Sequence, residues 1–201
     1  DSAWWQEWVQ LQVDRNWIYY WLGRVEAMST LVERVRHVVE TKGTPLQRAR
    51  SSQSLIPMAL RRDPYRVTDE WGEYGRRGVE ASEASGELSA KVMARFCRAF
   101  TLLFHGDLVA SEQQSLIGLR LAEQLGDLTM QSRLLTYLTL AYRQQGQLER
   151  TRECAERTLE LATRWRGQAP LSSAIRPAAT WFGLDRDLPL VRWAFLDGPS
   201  P

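Results

Sequence analysis

The sequence predicts an all-α fold, a right-handed superhelical stack of antiparallel helical hairpins that forms an α-solenoid. Apolar residues recur at steps of three and four through most of the chain, which gives each helix one apolar face. Glycines also recur at a nearly constant interval: 43, 40 and 41 residues separate Gly43, Gly86, Gly126 and Gly167. Glycine commonly ends a helix, so this interval indicates a repeated pair of helices.

A second series of glycines lies between the members of the first. Gly106 and Gly146 are 40 residues apart, and Gly23 lies 83 residues before Gly106, which is two intervals with one member missing. The missing member falls near Asp63-Pro64, which is another turn signal. We therefore expect a period of about 41 residues and four hairpins, at residues 4–43, 44–86, 87–126 and 127–167.

The first hairpin is rich in tryptophan. Its first helix is expected over Trp4–Leu22 and carries five of the nine tryptophans: Trp4, Trp5, Trp8, Trp17 and Trp21. Its second helix is expected over Val25–Thr41, with an apolar side made of Met28, Leu31, Val32, Val35, Val38 and Val39. Gly23 and Gly43 follow these two helices and end them.

The third helix begins at Thr44-Pro45, because threonine caps helices and proline fits the first helical turn. It is expected to continue to Arg62. Pro57 lies inside this range and removes one backbone hydrogen bond. The helix therefore either kinks at Pro57 or ends at Ile56.

The fourth helix is expected from about Thr68 to the residue before Gly86. It contains three glycines at steps of three: Gly72, Gly75 and Gly78. Residues with this spacing lie on one side of a helix. Although each glycine costs about 1 kcal/mol of helix propensity, the row would let a neighbouring helix approach closely.

The third and fourth hairpins show the pattern most clearly. Helices are expected over Leu88–His105 and Leu108–Leu125, and the last pair lies within Asp127–Trp165. Gly146 separates the two halves of that last pair and can adopt the left-handed conformation that ends a helix. Neither half can bury its apolar side within the hairpin alone, so each hairpin needs neighbours.

The last hairpin resembles a tetratricopeptide repeat. The match lies where that family places its large packing residues and its turn glycine: Leu135, Leu138, Tyr142, Gly146 and Ala155. The chain departs from the family at Thr139, where the family has glycine, and at Thr151 and Thr158, where it has alanine. Threonine is still small, so close packing survives. The resemblance implies that the first helix of each pair lines a concave side.

Several segments also resemble the helical regions of large bacterial signalling ATPases, including the MalT-type and AfsR-type regulators. This resemblance covers about residues 5–165 and includes segments that start at Trp21, Leu31, Gly43, Met58 and Leu134. It implies a sensor or scaffold within a cytoplasmic bacterial protein that regulates transcription or signalling. No Gly-x-x-x-x-Gly-Lys-Ser/Thr motif occurs, so ATP binding is not expected of this chain.

Residues 168–201 depart from the repeat pattern. Five of the eight prolines lie there: Pro170, Pro177, Pro189, Pro199 and Pro201. This segment is either an irregular cap on the last apolar face or a natural sequence interrupted, for example, by a shifted reading frame; we favour an irregular, partly ordered tail. The chain begins within a helical pattern and without methionine, so we interpret it as part of a longer protein.

Composition argues against several classes of function. The formal net charge is only +2, so no direct contact with nucleic acid is expected. No apolar run approaches the roughly 20 residues of a membrane span, and no signal peptide is recognisable. Cys97 and Cys154 lack the spacing of metal ligands and are interpreted as buried, reduced thiols of a cytosolic protein. No metal or cofactor is expected.

No set of residues predicts catalysis. His37 and His105 have no metal-type spacing to a Cys, His or acidic residue, and the dipole at a helix end explains His105 better. Asp69-Glu70 falls on a face that should be exposed. No serine lies in a Gly-x-Ser-x-Gly turn. An all-helical enzyme assembled from scattered acids and arginines is the alternative from another functional class.

The candidate binding surface is the concave wall that the tetratricopeptide resemblance implies. Its inward positions, carried over helix by helix, include Trp17, Tyr20, Arg50, Gln53, Phe96, Phe100, Arg133, Thr136 and Arg143. Such aromatic residues and arginines could recognise an extended peptide or a small anionic ligand. The alternatives are that Trp17, Phe96 and Phe100 belong to the core and that the arginines pair with nearby glutamates.

The sequence therefore predicts a non-catalytic interaction or sensor module that binds a protein or peptide partner on its concave face. The main alternative is a domain that senses a small-molecule effector. The terminal repeats lack a neighbour on one side, and exposed apolar faces of that kind drive association. We therefore expect a homodimer or a tendency to aggregate, with Trp4, Trp5 and Trp8 near the contact.

Overall fold

The computed structural model describes residues 2–62 and 67–166, with the side chains of residues 3–20, 22–56 and 67–161. This part of the chain is all-α, as predicted. Its eight helices are α1 Ser2–Trp21, α2 Val25–Lys42, α3 Pro45–Arg62, α4 Asp69–Ser85, α5 Leu88–His105, α6 Leu108–Leu125, α7 Leu128–Gln144 and α8 Leu148–Arg166. Each agrees with a predicted helix to within about two residues at either end, the usual uncertainty of helix bounds.

The structure decides one of the alternatives left open at Pro57. α3 is helical from Pro45 to Arg62, so the helix does not end at Ile56. The expected turn at Asp63-Pro64 and the tail at residues 168–201 lie outside the described residues.

Glycines end most of the helices in the left-handed conformation. Their φ angles are between 67° and 95° at Gly23, Gly86, Gly106, Gly126 and Gly146. After α7, the backbone N–H of Gly146 donates to the carbonyl of Arg143, and that of Gln147 donates to the carbonyl of Tyr142. These bonds satisfy carbonyls at the helix end. The same pair of bonds follows α1, α5 and α6.

Side chains cap the starts of three helices. Before α3, the backbone N–H of Gln47 donates to Thr44 Oγ1 at 3.2 Å, and that of Thr44 donates to Gln47 Oε1 at 2.9 Å. This is a capping box, and it confirms the predicted start at Thr44. The carboxylates of Asp107 and Asp127 each accept a bond from the backbone N–H three residues later, at the starts of α6 and α7.

Contacts between the helices are local in sequence. Each helix packs against the next one, and α1, α3, α5 and α7 also pack successively against one another. Most connections are two or three residues long, which makes successive helices antiparallel. The buried residues form separate clusters along this arrangement, such as the α1–α2 cluster of Val9, Val13, Leu31, Val35 and Val39.

The glycine row of α4 allows the close approach that the sequence predicts. A Cβ atom at Gly75 would lie 3.0 Å from Thr101 Oγ1 and 3.2 Å from Arg98 Cδ, both on α5. A Cβ atom at Gly78 would lie 3.3 Å from the Cβ of Ser52 on α3. Two of the three glycines therefore hold α4 tightly against both of its neighbours.

Replacing the turn glycine of the last hairpin should destabilise the fold. The φ of Gly146 is +73°, and apart from its chain neighbours no described residue has an atom within 4 Å of the place where a Cβ would be. Gly146→Val should therefore cost about 1 kcal/mol or more through backbone strain alone, since a β-branched residue resists this conformation. Gly146→Asn is the control, because asparagine tolerates it better. Equal melting temperatures for the wild type and Gly146→Val would contradict the assignment of this turn.

Candidate functional site

The odd-numbered helices form one connected layer in the structure. α1, α3, α5 and α7 pack successively, so residues on the same side of these helices share one wall. Polar side chains help to join them. Gln47 of α3 donates to the carbonyl oxygen of Gln6 in α1, and Gln53 of α3 donates to the carbonyl oxygen of Ala90 in α5 at 3.1 Å.

A groove of about 310 Å³ lies between α1, α3 and α5. Its lining includes three of the predicted binding residues, Trp17, Arg50 and Gln53. The other lining residues come from α1 and α5: Val13, Asp14, Ser89, Ala90 and Met93. The structure thus brings a subset of the predicted site together in a single concave feature.

The three predicted residues that line this groove differ in their exposure and in the contacts that their side chains already make. Gln53 is buried and already bonded to α5, so its role is structural. Arg50 is exposed, and its Nη1 lies 3.5 Å from Gln10 Oε1, a long contact that leaves most of its donors available. Trp17 is half-buried, and its ring meets that of Tyr20 edge to face at 5.7 Å.

A second group of predicted residues forms an aromatic cluster between α5 and α7. Phe96 and Phe100 lie 6.0 Å apart, and Tyr137 lies 5.5 Å from Phe96 and 5.0 Å from Phe100. Phe100 is only 8% exposed. It therefore belongs to the core, which was the alternative to a binding role. Phe96 is half-buried, and the guanidinium of Arg133 lies 5.2 Å above its ring.

Arg133 is a half-buried cation of the predicted site. Burial lowers the pKa of its guanidinium, while the nearby groups of Cys97, Tyr137 and Tyr20 act in the opposite direction. Tyr20 belongs to α1 and Arg133 to α7, so the wall brings residues of distant helices within electrostatic range of each other. Here a cation is held against the ring of Phe96 in partly dehydrated surroundings, which strengthens its attraction for the ring and for anions.

The remaining predicted residues lie on exposed parts of α7. The Thr136 hydroxyl donates to the carbonyl oxygen of Ser132 within its own helix. Arg143 is in the last turn of α7, about 15 Å along the helix from Arg133 at 1.5 Å per residue. Neither residue lines the groove around Trp17.

Several residues of this wall were not among the predicted inward positions. Asp14, Ser89 and Ala90 line the groove, and Tyr137 joins Phe96 and Phe100. For Asp14 a signal existed, since it lies three residues before the predicted Trp17 and therefore on the same side of the first helix. Tyr137 adjoins the predicted Thr136, but its contact with α5 depends on how the two helices are rotated against each other.

No model of a known protein family matches the chain, and a search of curated proteins finds no significant match either. The tetratricopeptide resemblance therefore stays a prediction drawn from the residues themselves.

The two cysteines and His105 have ordinary structural roles. Cys97 is buried in the cluster with Ile56 and Phe100, and burial raises its pKa to about 12. Burial also raises the pKa of Cys154. Both thiols therefore stay protonated at neutral pH, which makes them poor nucleophiles. His105 ends α5, where its Nε2 lies 3.1 Å from Asp69 Oδ1.

Within the described residues, no group of three or more His, Cys, Asp and Glu side chains is arranged to hold a metal ion. No helix in the same part of the chain is long and apolar enough to cross a membrane.

Proposed function

We propose that this chain is a non-catalytic helical-repeat module that binds a protein or peptide partner on the wall of its odd-numbered helices. The observation that carries the proposal is the groove between α1, α3 and α5, where an exposed arginine, a carboxylate and an indole meet. Met93 of α5 lines this groove and, like Phe96, packs against the cluster that contains Phe100. A wall that joins the groove to this cluster would suit an extended chain.

The proposal includes a specific architecture, a right-handed superhelical stack of the tetratricopeptide type. The supporting observations are the local helix contacts and the repeated left-handed glycine turns. Solenoids have contacts of this local kind because each repeat touches only its neighbours. The four hairpins would then be consecutive repeats that each contribute one helix to the binding wall.

The chemistry of the groove suits a peptide that carries both an apolar and an acidic side chain. Trp17 and Met93 offer polarisable apolar surface, which adapts to irregular side chains. Arg50 offers a planar set of donors that matches a carboxylate. Asp14 lies in the same groove and would disfavour a ligand with two acids side by side.

The wider context follows from the resemblance to MalT-type and AfsR-type regulators. On that basis we place the module in a larger cytoplasmic bacterial protein that regulates transcription or signalling. In such a protein, the partner would be another protein segment and not nucleic acid. A domain that senses a small anionic effector is the second candidate, which the half-buried Arg133 over Phe96 favours.

Peptide selection on the purified chain tests the binding proposal. Peptides isolated from a random displayed library should bind the wild type, and Arg50→Glu should weaken them by about tenfold or more, since it places a like charge against an acidic ligand. Arg34→Glu is the matched control, because Arg34 is exposed on α2 and lines no part of the groove. Equal losses of peptide affinity in Arg50→Glu and Arg34→Glu would contradict the proposed binding site.

A thermal-shift screen with sugars and metabolites separates the alternatives. Stabilisation by one compound, lost in Arg133→Gln, would favour the effector sensor. Turnover of any compound in the same screen would contradict the non-catalytic proposal.

We also propose that the chain self-associates through the outer face of α1. Apolar residues follow one another at steps of four and three along this face, interrupted once by Arg15: Trp4, Trp8, Leu11, Ile18 and Leu22. The spacing is symmetric about Val13, so a second copy in antiparallel orientation would place Trp4 opposite Leu22 and Trp8 opposite Ile18. This self-complementarity is what a two-fold interface requires.

Ile18→Asp should convert the dimer into a monomer. Ile18 is 55% exposed, so the fold should tolerate the change, but a carboxylate would be buried in the interface. Val109→Asp is the control, because Val109 is a comparably exposed residue on α6. Light scattering with size-exclusion chromatography measures the result. A wild type that stays monomeric at high concentration would contradict the interface.

A further inference from the structure

We propose that the cavity between α2, α3 and α4 binds a small amphipathic anion, a carboxylate that carries an apolar chain. The cavity has a volume of about 330 Å³, within the range of small-molecule sites. It lies on a different side of α3 from the groove described above. Arg48, Ser51 and Leu55 line the cavity, whereas Arg50 and Gln53 line the groove. The two sites are therefore independent.

The inner part of the cavity is apolar. Val32, Val39 and Leu55 line it, and all three are buried members of the core clusters. Tyr74 adds its ring, and its hydroxyl is occupied by a hydrogen bond to Glu70 Oε1 at 2.9 Å. Water in this part of the cavity would find few polar partners, so an apolar chain could replace it favourably.

The rim of the cavity is cationic. Three arginines line it, one from each helix: Arg36, Arg48 and Arg77. The guanidinium of Arg36 lies over the ring of Tyr74 at 5.3 Å, and among the described side chains no carboxylate is within ion-pair distance of it. Arg48 uses one nitrogen to donate to the carbonyl oxygen of Gly43 at 2.9 Å. Each guanidinium has five N–H donors, so both keep donors for a ligand.

The two carboxylates of the rim are already engaged. Glu80 binds Arg76 outside the cavity, and Glu40 lies 3.9 Å from Arg77. Arg77 is also bonded to Glu73 at 2.9 Å. The two carboxylates thus pair with Arg76 and Arg77. Arg36 and Arg48 have no carboxylate partner among the described side chains. The side chains of Ser51 and Ser52 line the same cavity and offer hydroxyl donors beside these two arginines.

This arrangement favours one class of ligand. A purely apolar molecule would leave the arginines dehydrated without an anion, and a small inorganic anion would leave the apolar interior empty. A carboxylate with an apolar chain satisfies both parts, with its charge at Arg36 and Arg48 and its chain against Val32 and Leu55. Such a ligand would also join α2 to α4, two helices of adjacent hairpins.

Titration calorimetry on the full chain with octanoate tests the proposal. We expect octanoate to bind more tightly than octanol, which has the same chain without the charge, and acetate and inorganic phosphate to show no comparable binding. Arg36→Gln should weaken octanoate by about tenfold or more, because it removes a charged partner of the carboxylate. Arg34→Gln, on the same helix outside the cavity, should leave the affinity within about twofold, as usual for an exposed surface charge.

Ala81→Leu provides a steric test that leaves the charges unchanged. Ala81 lines the cavity, so a larger side chain should block octanoate while circular dichroism confirms the helical fold. The proposal is overturned if octanoate does not bind, if octanol or phosphate binds equally well, or if Arg36→Gln and Ala81→Leu leave the affinity unchanged. Octanoate binding that is lost in Ile18→Asp but kept in Arg36→Gln would assign it to the face of α1 instead.

Discussion

Leu134→Ala should destabilise the folded chain by about 2–5 kcal/mol, the usual cost of removing a large side chain from a packed core. Leu134 is 0% exposed. It lies in the cluster that joins α5, α6, α7 and α8, together with Val92, Leu119 and Leu161. Its methyl groups also approach Gly118 of α6 closely enough that a Cβ there would lie 3.2 Å away. Because the side chains around Leu134 are tightly packed, they can move little to fill the cavity that the substitution would leave.

Leu148→Ala is the matched control for this prediction. Leu148 is 73% exposed at the start of α8, so the same chemical change should alter stability by no more than about 0.5 kcal/mol. Urea unfolding followed by circular dichroism measures both variants. Similar losses for the two leucines would show that α7 does not lie at the centre of its cluster.

Gly75→Leu should destabilise the chain by about 1–3 kcal/mol, since overpacking at a tight helix contact forces the neighbours apart. The new Cβ would lie 3.0 Å from Thr101 Oγ1 and 3.5 Å from the backbone Cα of Arg98. The remaining atoms of the leucine would have to enter the same interface between α4 and α5. The gain in helix propensity over glycine, about 1 kcal/mol, opposes this cost only in part.

Gly72→Leu is the comparison, because it lies one turn earlier on the same helix and gains the same propensity. Its nearest neighbour would be the far end of the Arg98 side chain at 3.6 Å, which can move aside. Thermal unfolding should therefore show a clearly smaller loss for Gly72→Leu than for Gly75→Leu. A reversed order would mean that the glycine row of α4 does not face α5 at Gly75.

The helices were predictable because their signals are local. Capping at Thr44, Asp107 and Asp127 depends on residues three positions apart, and the turn at Gly146 depends on one residue that tolerates positive φ. Pro57 was the open case. Its local signal allowed either a kink or an end at Ile56, and α3 continues past it. Packing of the helix against its neighbours can outweigh one lost hydrogen bond.

The arrangement of the candidate binding residues was only partly predictable. Trp17, Arg50 and Gln53 line one groove in the structure. Arg133 was expected on the wall, but its position over Phe96 and its dehydration depend on the packing of α7 against α5. Phe100 shows the limit most clearly, since the same spacing places it in the core instead of on the surface.

The sequence by itself determined where most helices of this protein begin and end, and which glycines close the turns between them. Those properties depend on residues within one or two turns of each other. Only the tertiary structure decided which side chains from different helices meet, such as Arg36, Arg48 and Arg77 around one cavity. Their meeting depends on the distances and rotations between α2, α3 and α4, which are set by the packing of many core residues at once.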